Sequence, residues 1–264
     1  MESYNKSNID RFSGFSDVYD KYRPSAPETV THLATLYLNK KPETVADIGC
    51  GSGLSTFLWT NAAENVIGIE PNDDMRQTAI NKITGQKNIK FIKGLSNETT
   101  LPDNSMDVVT FSQSFHWVEP FSTLNEINRI LKPNGILMIY DQQWPVTVDP
   151  ILDDAYEKTD DFCDEIADKL PNAAIKTDKT KHFENVKNTN HFSYVKKIYF
   201  SNIEKMTAER LFGLLISQGG AQKAFKTDIR AVEKAAEFDQ LCKDRLQDKT
   251  IDSIFSYQMI IAVK

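Results

Sequence analysis

The chain has 264 residues, 40% of them hydrophobic and 26% charged, which suits one globular domain with an added segment and excludes a disordered or fibrous class. Lys and Arg total 31 against 37 Asp and Glu, a formal charge of -6, so the basic surface that binds phosphate backbones is missing and nucleic acid is not an expected partner. The three cysteines, Cys50, Cys163 and Cys242, are widely spaced with no CxxC pair, which indicates neither a disulfide framework nor a zinc site and makes a reducing cytoplasm the expected address.

In chain order, residues 1–11 are polar, without the apolar stretch of a signal peptide, and the longest apolar runs, such as 136–140, are far too short to span a bilayer. No membrane partner is expected. Residues 12–24 combine aromatics with a single arginine, Arg23, just before Pro24. From Thr44 onward apolar runs at 45–48, 66–69, 89–92, 108–111 and 136–140 read as strands. Between them, 54–62, 75–83 and 121–131 carry helical spacing. This βαβ rhythm predicts an α/β fold, a mostly parallel sheet with helices on both faces, and a ligand site beyond the carboxyl ends of its strands.

After Asp141 the rhythm breaks. Residues 150–170 read as an acidic helix, and a polar stretch follows to His191; both are too polar for sheet core, so 149–194 is expected to form an inserted cap. Residues 195–200 read as a strand, 208–217 and 229–246 as helices, and 253–263 as a closing strand.

The strand at 45–48 runs into Gly49-Cys50-Gly51-Ser52-Gly53. Glycines allow a sharp turn with positive φ and a ligand approach unobstructed by Cβ atoms. The dinucleotide fingerprint would place its third glycine at position 54, where Leu54 stands, so the spacing is GxGxG and not GxGxxG. Asp47 stands two residues before Gly49, and Glu70 ends the next apolar strand, where a carboxylate can accept hydrogen bonds from both hydroxyls of a ribose. Arg129-Ile130-Leu131-Lys132-Pro133-Asn134-Gly135 closes a helix and turns into the fifth strand. The fourth strand ends in Phe111-Ser112-Gln113-Ser114-Phe115-His116-Trp117, with a candidate base and aromatic faces that attract cations. Bland alternatives stay open at this level: a ligand-free βα turn for the glycines, a helix N-cap for Asp47 and packing under a loop for His116.

Taken together, these motifs resemble the class I S-adenosylmethionine-dependent methyltransferases from about Pro42 to Asp141. The Gln-x-x-His-Trp segment and the arm at 12–24 are similar to the methyltransferase type 11 branch that includes trans-aconitate methyltransferase-like proteins. The cap at 149–194 has no match there. The resemblance implies a Rossmann-like fold with a mostly parallel seven-stranded sheet, S-adenosylmethionine as cofactor and no metal. Gly49, Gly51 and Gly53 would lie beside the methionine portion, and Asp47 would hold its amino group directly or through water. Glu70 would take the ribose hydroxyls, with Pro71, Asn72 and Met75 near the adenine and ribose. Leu95, Ser96 and Gln113 would complete the cofactor site; the acid often found after the third strand is missing at Gly94-Leu95-Ser96. Tyr19 and Arg23 would recognise the carboxylate, because a guanidinium pairs well with one. His116 would be the catalytic residue, with Phe115 and Trp117 lining the substrate pocket.

The expected organisation is an N-terminal helical arm at 1–41, a cofactor-binding core at 42–148, the cap at 149–194 and a C-terminal part of the same sheet at 195–264. A small-molecule methyl acceptor is expected, as monomer or homodimer, with small acids as the class the branch points to. Lys176, Lys179, Lys181, His182 and His191 could supply positive contacts to such an acid, or merely solvate a loop. Two rivals remain: a non-catalytic cofactor-binding or scaffold protein using the acidic helix, and a nicotinamide-dependent oxidoreductase, which Leu54 and Asp47 argue against.

Overall fold

The computed structural model describes residues 8–9, 14, 16–171 and 173–264. Phe12, Ser13 and Phe15 of the expected N-terminal arm lie outside the described residues. The early apolar runs form β1 (Thr44–Ile48), β2 (Asn65–Ile69), β3 (Ile89–Ile92), β4 (Met106–Ser112) and β5 (Leu131–Gln142). The pairs β1–β2, β1–β4, β2–β3 and β4–β5 are parallel. With β6 (Tyr194–Met206) and β7 (Ile251–Val263) they make a seven-stranded sheet of order β3-β2-β1-β4-β5-β7-β6. β7 opposes β5, since Asn134 N–H donates to Lys264 O at 3.2 Å and Gln143 N–H to Ser256 O at 2.8 Å. The expected mostly parallel α/β sheet is therefore present, and its order reverses between β1 and β4, which makes their carboxyl ends a switch point.

The described helices are α1 (Ser16–Tyr22), α2 (Thr29–Leu38), α3 (Asp73–Asn81), α4 (Pro120–Ile130), α5 (Pro150–Asp168), α6 (His182–Asn188), α7 (Ala208–Ile216), α8 (Gly219–Thr227) and α9 (Ile229–Leu246). The causes are local. α4 starts where the Glu119 carboxylate accepts from the Phe121 and Ser122 amides, with Pro120 in the first turn, where its missing N–H costs nothing. It buries Leu124, Ile127 and Ile130 and ends as Leu131 becomes extended.

The α-helix expected over 54–62 does not form; turns and a short 3-10 segment, Phe57–Trp59, take its place. Ser55 and Thr56 direct their hydroxyls to Asp47, and short polar side chains with such local partners compete with helix formation.

The described chain divides into two compact units. A sheet unit comprises 24–141, 175–200 and 257–264. Successive strand residues alternate between its two cores: Ala46, Ile48, Val109, Phe111, Leu137 and Ile139 share one, while Val45, Val108, Ile136, Met138 and Tyr140 share the other. Both faces are thus apolar, as a parallel sheet covered on each side requires.

A helical unit comprises the described part of 1–23 together with 142–174 and 201–256. These boundaries differ from the expected ones. Residues 149–194, expected as one cap, are divided at Ala174, and 201–256 joins the helical unit. The reason is the apolar stripe of α5, Leu152, Tyr156, Cys163 and Ala167, a helix that packs on α8 and α9. Among the described residues no helix is long and apolar enough to cross a membrane.

Candidate active site

Gly49, Gly51, Glu70 and Gln113 lie at the carboxyl ends of β1, β2 and β4 in the sheet unit. Gly49, at φ +65°, follows β1, and an added Cβ there would lie 2.7 Å from the Ser114 Cβ, so the loop can approach the end of β4 only as glycine. Gly51, at φ +56°, has nothing within 4 Å of an added Cβ, so the loop presents open space at its tip.

Two carboxylates fix this loop. Asp47 is fully buried and accepts from Ser55 Oγ at 2.7 Å, Thr56 Oγ1 at 2.7 Å and Thr110 Oγ1 at 2.9 Å. Burial pushes its carboxyl above the usual range, opposed by those three hydroxyls. Enclosed in this way, Asp47 braces the loop from beneath. Glu70 accepts from the Gly51 amide through Oε2 and from the Asn72 amide through Oε1, each at 2.8 Å. Burial pushes its carboxyl up to about 7 against those backbone bonds.

Asn72 caps α3 by accepting from the Met75 amide at 3.0 Å, and Pro71 beside it stays half-buried. Met75, expected near the cofactor, is 2% exposed and packs inward. After β3, Leu95 is half-buried and bridges to Glu98, while the Ser96 hydroxyl lies 2.8 Å from that of Thr123. Gln113 follows β4 at φ +55°, a left-handed conformation costing on the order of 1–3 kcal/mol for a non-glycine residue, and its amide donates to Tyr140 O at 3.0 Å.

Phe115–Trp117 form a short 3-10 turn. Phe115, expected to line a pocket, is fully buried between Phe111 and the edge of His182, which corrects that assignment to core. Trp117 is half-buried, its ring 4.6 Å from the imidazole of His116 and under Lys176 Nζ at 5.8 Å. His116 Nδ1 lies 3.5 Å from Asp141 Oδ1, too far for a strong hydrogen bond but close enough for charge interaction. Lys179 Nζ lies 2.9 Å from the same oxygen. Burial drives the His116 pKa down to about 4, with Asp141 opposing and Lys179 assisting. Burial would raise Asp141, but His116 and Lys179 together hold it well below the usual carboxylate range.

The sequence drew attention to His116 but not to Asp141, which served only as a strand boundary, nor to its pairing with Lys179. An acid closing the fifth strand, beside the end of the fourth, was the available signal.

Tyr19 and Arg23 belong to the helical unit. There Arg23 donates through Nε to Ser217 Oγ at 2.8 Å and through Nη2 to Gln218 Oε1 at 2.5 Å, and its guanidinium lies 4.7 Å from the Trp144 ring and 5.1 Å from that of Tyr19.

Residues 46–139 match a family described as "Methyltransferase domain". A Dictyostelium discoideum protein named "Putative methyltransferase" is 28% identical over 131 residues, covering 50% of this chain and 48% of that protein. The ubiquinone/menaquinone biosynthesis C-methyltransferase of Campylobacter jejuni is 30% identical over 151 residues, covering 50% of this chain and 61% of the relative. The chain thus spans about half to three-fifths of these two relatives. Among solved structures, a "putative type II methyltransferase" from Anaeromyxobacter dehalogenans superposes with a TM-score of 0.68 at 15% identity, over 92% of this chain and 97% of that one, a likeness of fold.

Proposed function

We propose that the chain is an S-adenosylmethionine-dependent methyltransferase that methylates a small molecule; the match of residues 46–139 to a methyltransferase domain supports this reading. The observation that carries this is the Glu70–Gly51 bracket at the switch point. A buried carboxylate holds the glycine loop through one amide, and only two of its roughly four acceptor positions are taken by the protein, which leaves capacity for a diol. Gly49, Gly51 and Gly53 would face the methionine portion, Glu70 the ribose, and Pro71, Asn72, Leu95, Ser96 and Gln113 the rest of the nucleoside.

When bound, the cofactor supplies a methyl group already activated on a sulfonium. The protein's share is alignment and exclusion of water, and alignment alone can supply about 7–11 kcal/mol. Trp117 offers an aromatic face to a cation, and His116, neutral at physiological pH, can accept a proton.

An acid acceptor, which the branch resemblance suggests, would need cationic contacts. Lys179 is paired with Asp141, the His182 ring contacts the Thr177 hydroxyl at 3.3 Å, and His191 is hydrogen-bonded to Asn125 at 2.8 Å. Small acids therefore remain one arm of the test.

The test is transfer of labelled methyl from S-adenosylmethionine into a cell extract, separated by size and treated with mild alkali, beside a calorimetric titration of the cofactor. We expect cofactor binding and label in the small-molecule fraction; loss of that label as methanol in alkali would identify a carboxyl ester. Label on macromolecules, or no binding of the cofactor, would overturn the assignment.

A further inference from the structure

His116, Asp141 and Lys179 come from three separate segments and meet at one carboxylate oxygen. Asp141 Oδ1 lies 2.9 Å from Lys179 Nζ and 3.5 Å from His116 Nδ1. A buried carboxylate is costly unless paired, and Lys179 supplies the pairing from a partly exposed side chain. The same segment grips the histidine backbone, since the Thr177 amide donates to His116 O at 2.8 Å. His116 Nδ1 is buried and facing the carboxylate, whereas Nε2 has no partner among the described residues and is not among the buried unpartnered atoms, so it keeps contact with solvent.

We propose that Asp141 and Lys179 are positioning residues that hold His116 as its Nδ1–H tautomer, presenting the Nε2 lone pair to a methyl acceptor with a proton to lose, a phenol or an amine. This rests on the methyltransferase assignment for its substrate half only. The acceptor O–H or N–H proton passes to Nε2 while the acceptor's electron pair forms the bond to the methyl carbon, and the electrons of the breaking C–S bond stay on sulfur. The imidazolium then releases its proton to solvent. A carboxylate acceptor, already ionised, would leave this base idle.

The groups that face His116 are Asp141 from β5, Lys179 from the 3-10 turn before α6 and His182 from α6, with Lys176 over the neighbouring Trp117. Burial, Lys179 and His182 favour neutral imidazole, and Asp141 opposes them. The neutral form is the one able to act as a base.

The decisive measurement needs no cofactor. Long-range ¹⁵N–¹H spectra of histidine-labelled protein contain four histidines, and His116→Gln assigns the relevant one. We expect Nδ1–H at pH 7, conversion towards Nε2–H in Asp141→Asn, and in Lys179→Met a rise in the His116 titration midpoint by about one pH unit or more, reversed in Lys179→Arg. Lys179 is partly exposed, so its variant keeps the question answerable if Asp141→Asn fails to fold. An Nε2–H tautomer in the wild type, or a midpoint unmoved in Lys179→Met, would overturn the positioning role. A panel of phenols, amines and carboxylic acids then tests the acceptor: loss of phenol or amine methylation in His116→Gln supports it. Methylation of acids alone, indifferent to His116, would refute the acceptor class while leaving methyl transfer intact.

Discussion

The Gly51 amide donates to Glu70 Oε2 at 2.8 Å, so the turn after β1 and the end of β2 are joined by a part-buried, charge-capable bond. The other oxygen of the same carboxylate takes the Asn72 amide at the entrance to α3. One side chain thereby sets the spacing of two adjacent strand ends.

Glu70→Gln brings an NH2 group to face either the Gly51 or the Asn72 amide, donor against donor. A hydrogen bond to a charged group contributes about 1.5–3 kcal/mol. We expect affinity for S-adenosylmethionine to fall roughly 10- to 100-fold by calorimetry, at about tenfold per 1.4 kcal/mol. Unchanged affinity would remove Glu70 from the site.

Glu70 and His116 should pull stability in opposite directions with pH. Burial raises Glu70 from 4.5 to about 7, so between those values the folded chain holds more protons than the unfolded one and loses stability as pH rises. Burial lowers His116 from 6.5 to about 4, so the folded chain holds fewer protons there and loses stability as pH falls. Each contribution is roughly 3 kcal/mol across its window, and the two largely cancel. Urea midpoints between pH 4 and 7.5 should climb with pH in Glu70→Gln and decline in His116→Gln. Parallel profiles in the two variants would contradict both assignments.

The first five strands were legible because each is a short apolar run closed by Gly, Asp or a polar turn. Burial on both faces of a covered sheet makes such runs continuously apolar. The stretch after Gly53 misled for a physical reason: its apolar spacing is helical, but Ser55 and Thr56 spend their hydroxyls on Asp47. α6 and α8 went unread, and α8 opens on Gly219 and Gly220, residues that weigh against a helix by propensity. The packing of 201–256 with α5 depends on long-range contacts that no local pattern encodes. In the site, Gly49, Gly51, Glu70 and His116 could be found by position after strands; Asp141 and Lys179 could not be paired without the tertiary structure.

Gly49→Ala and Gly51→Ala separate folding from binding. Both positions have positive φ, but only at 49 does the new Cβ meet a neighbour, Ser114 Cβ at 2.7 Å. Gly49→Ala should cost about 1–3 kcal/mol of stability beyond the backbone strain. Gly51→Ala should cost about 1–2 kcal/mol from the left-handed backbone alone. Cofactor affinity should drop in Gly51→Ala by at least as much as in Gly49→Ala, since its Cβ enters the open space at the loop tip. Equal stability of the two variants in urea melts would count against the close approach.

Asp47→Asn tests the brace beneath the loop. The amide offers one acceptor oxygen where the carboxylate receives three hydroxyls, so at least one of Ser55, Thr56 and Thr110 must find another partner. A stability loss of about 1–3 kcal/mol is expected, with faster hydrogen exchange at the Gly51 amide. Exchange at Gly51 unchanged while stability falls would show that Asp47 supports β1 and β4 without governing the loop.

Arg23 is the corresponding test in the helical unit. Its guanidinium joins α1 to the end of α7 through Ser217 and Gln218, and Gln218 Nε2 in turn donates to Tyr156 OH on α5 at 3.0 Å. Trp144 stacks on Tyr156 with an interplanar angle of 7°, and Arg23 covers the Trp144 ring. A lysine can replace the charge but not the planar fork that serves Ser217 and Gln218 while lying over an indole. Arg23→Lys should therefore destabilise nearly as much as Arg23→Ala, on the order of 2 kcal/mol, and speed proteolysis within 142–174. If Arg23→Lys instead matched the wild type in stability and protease resistance, charge alone would suffice and the fork geometry would be incidental.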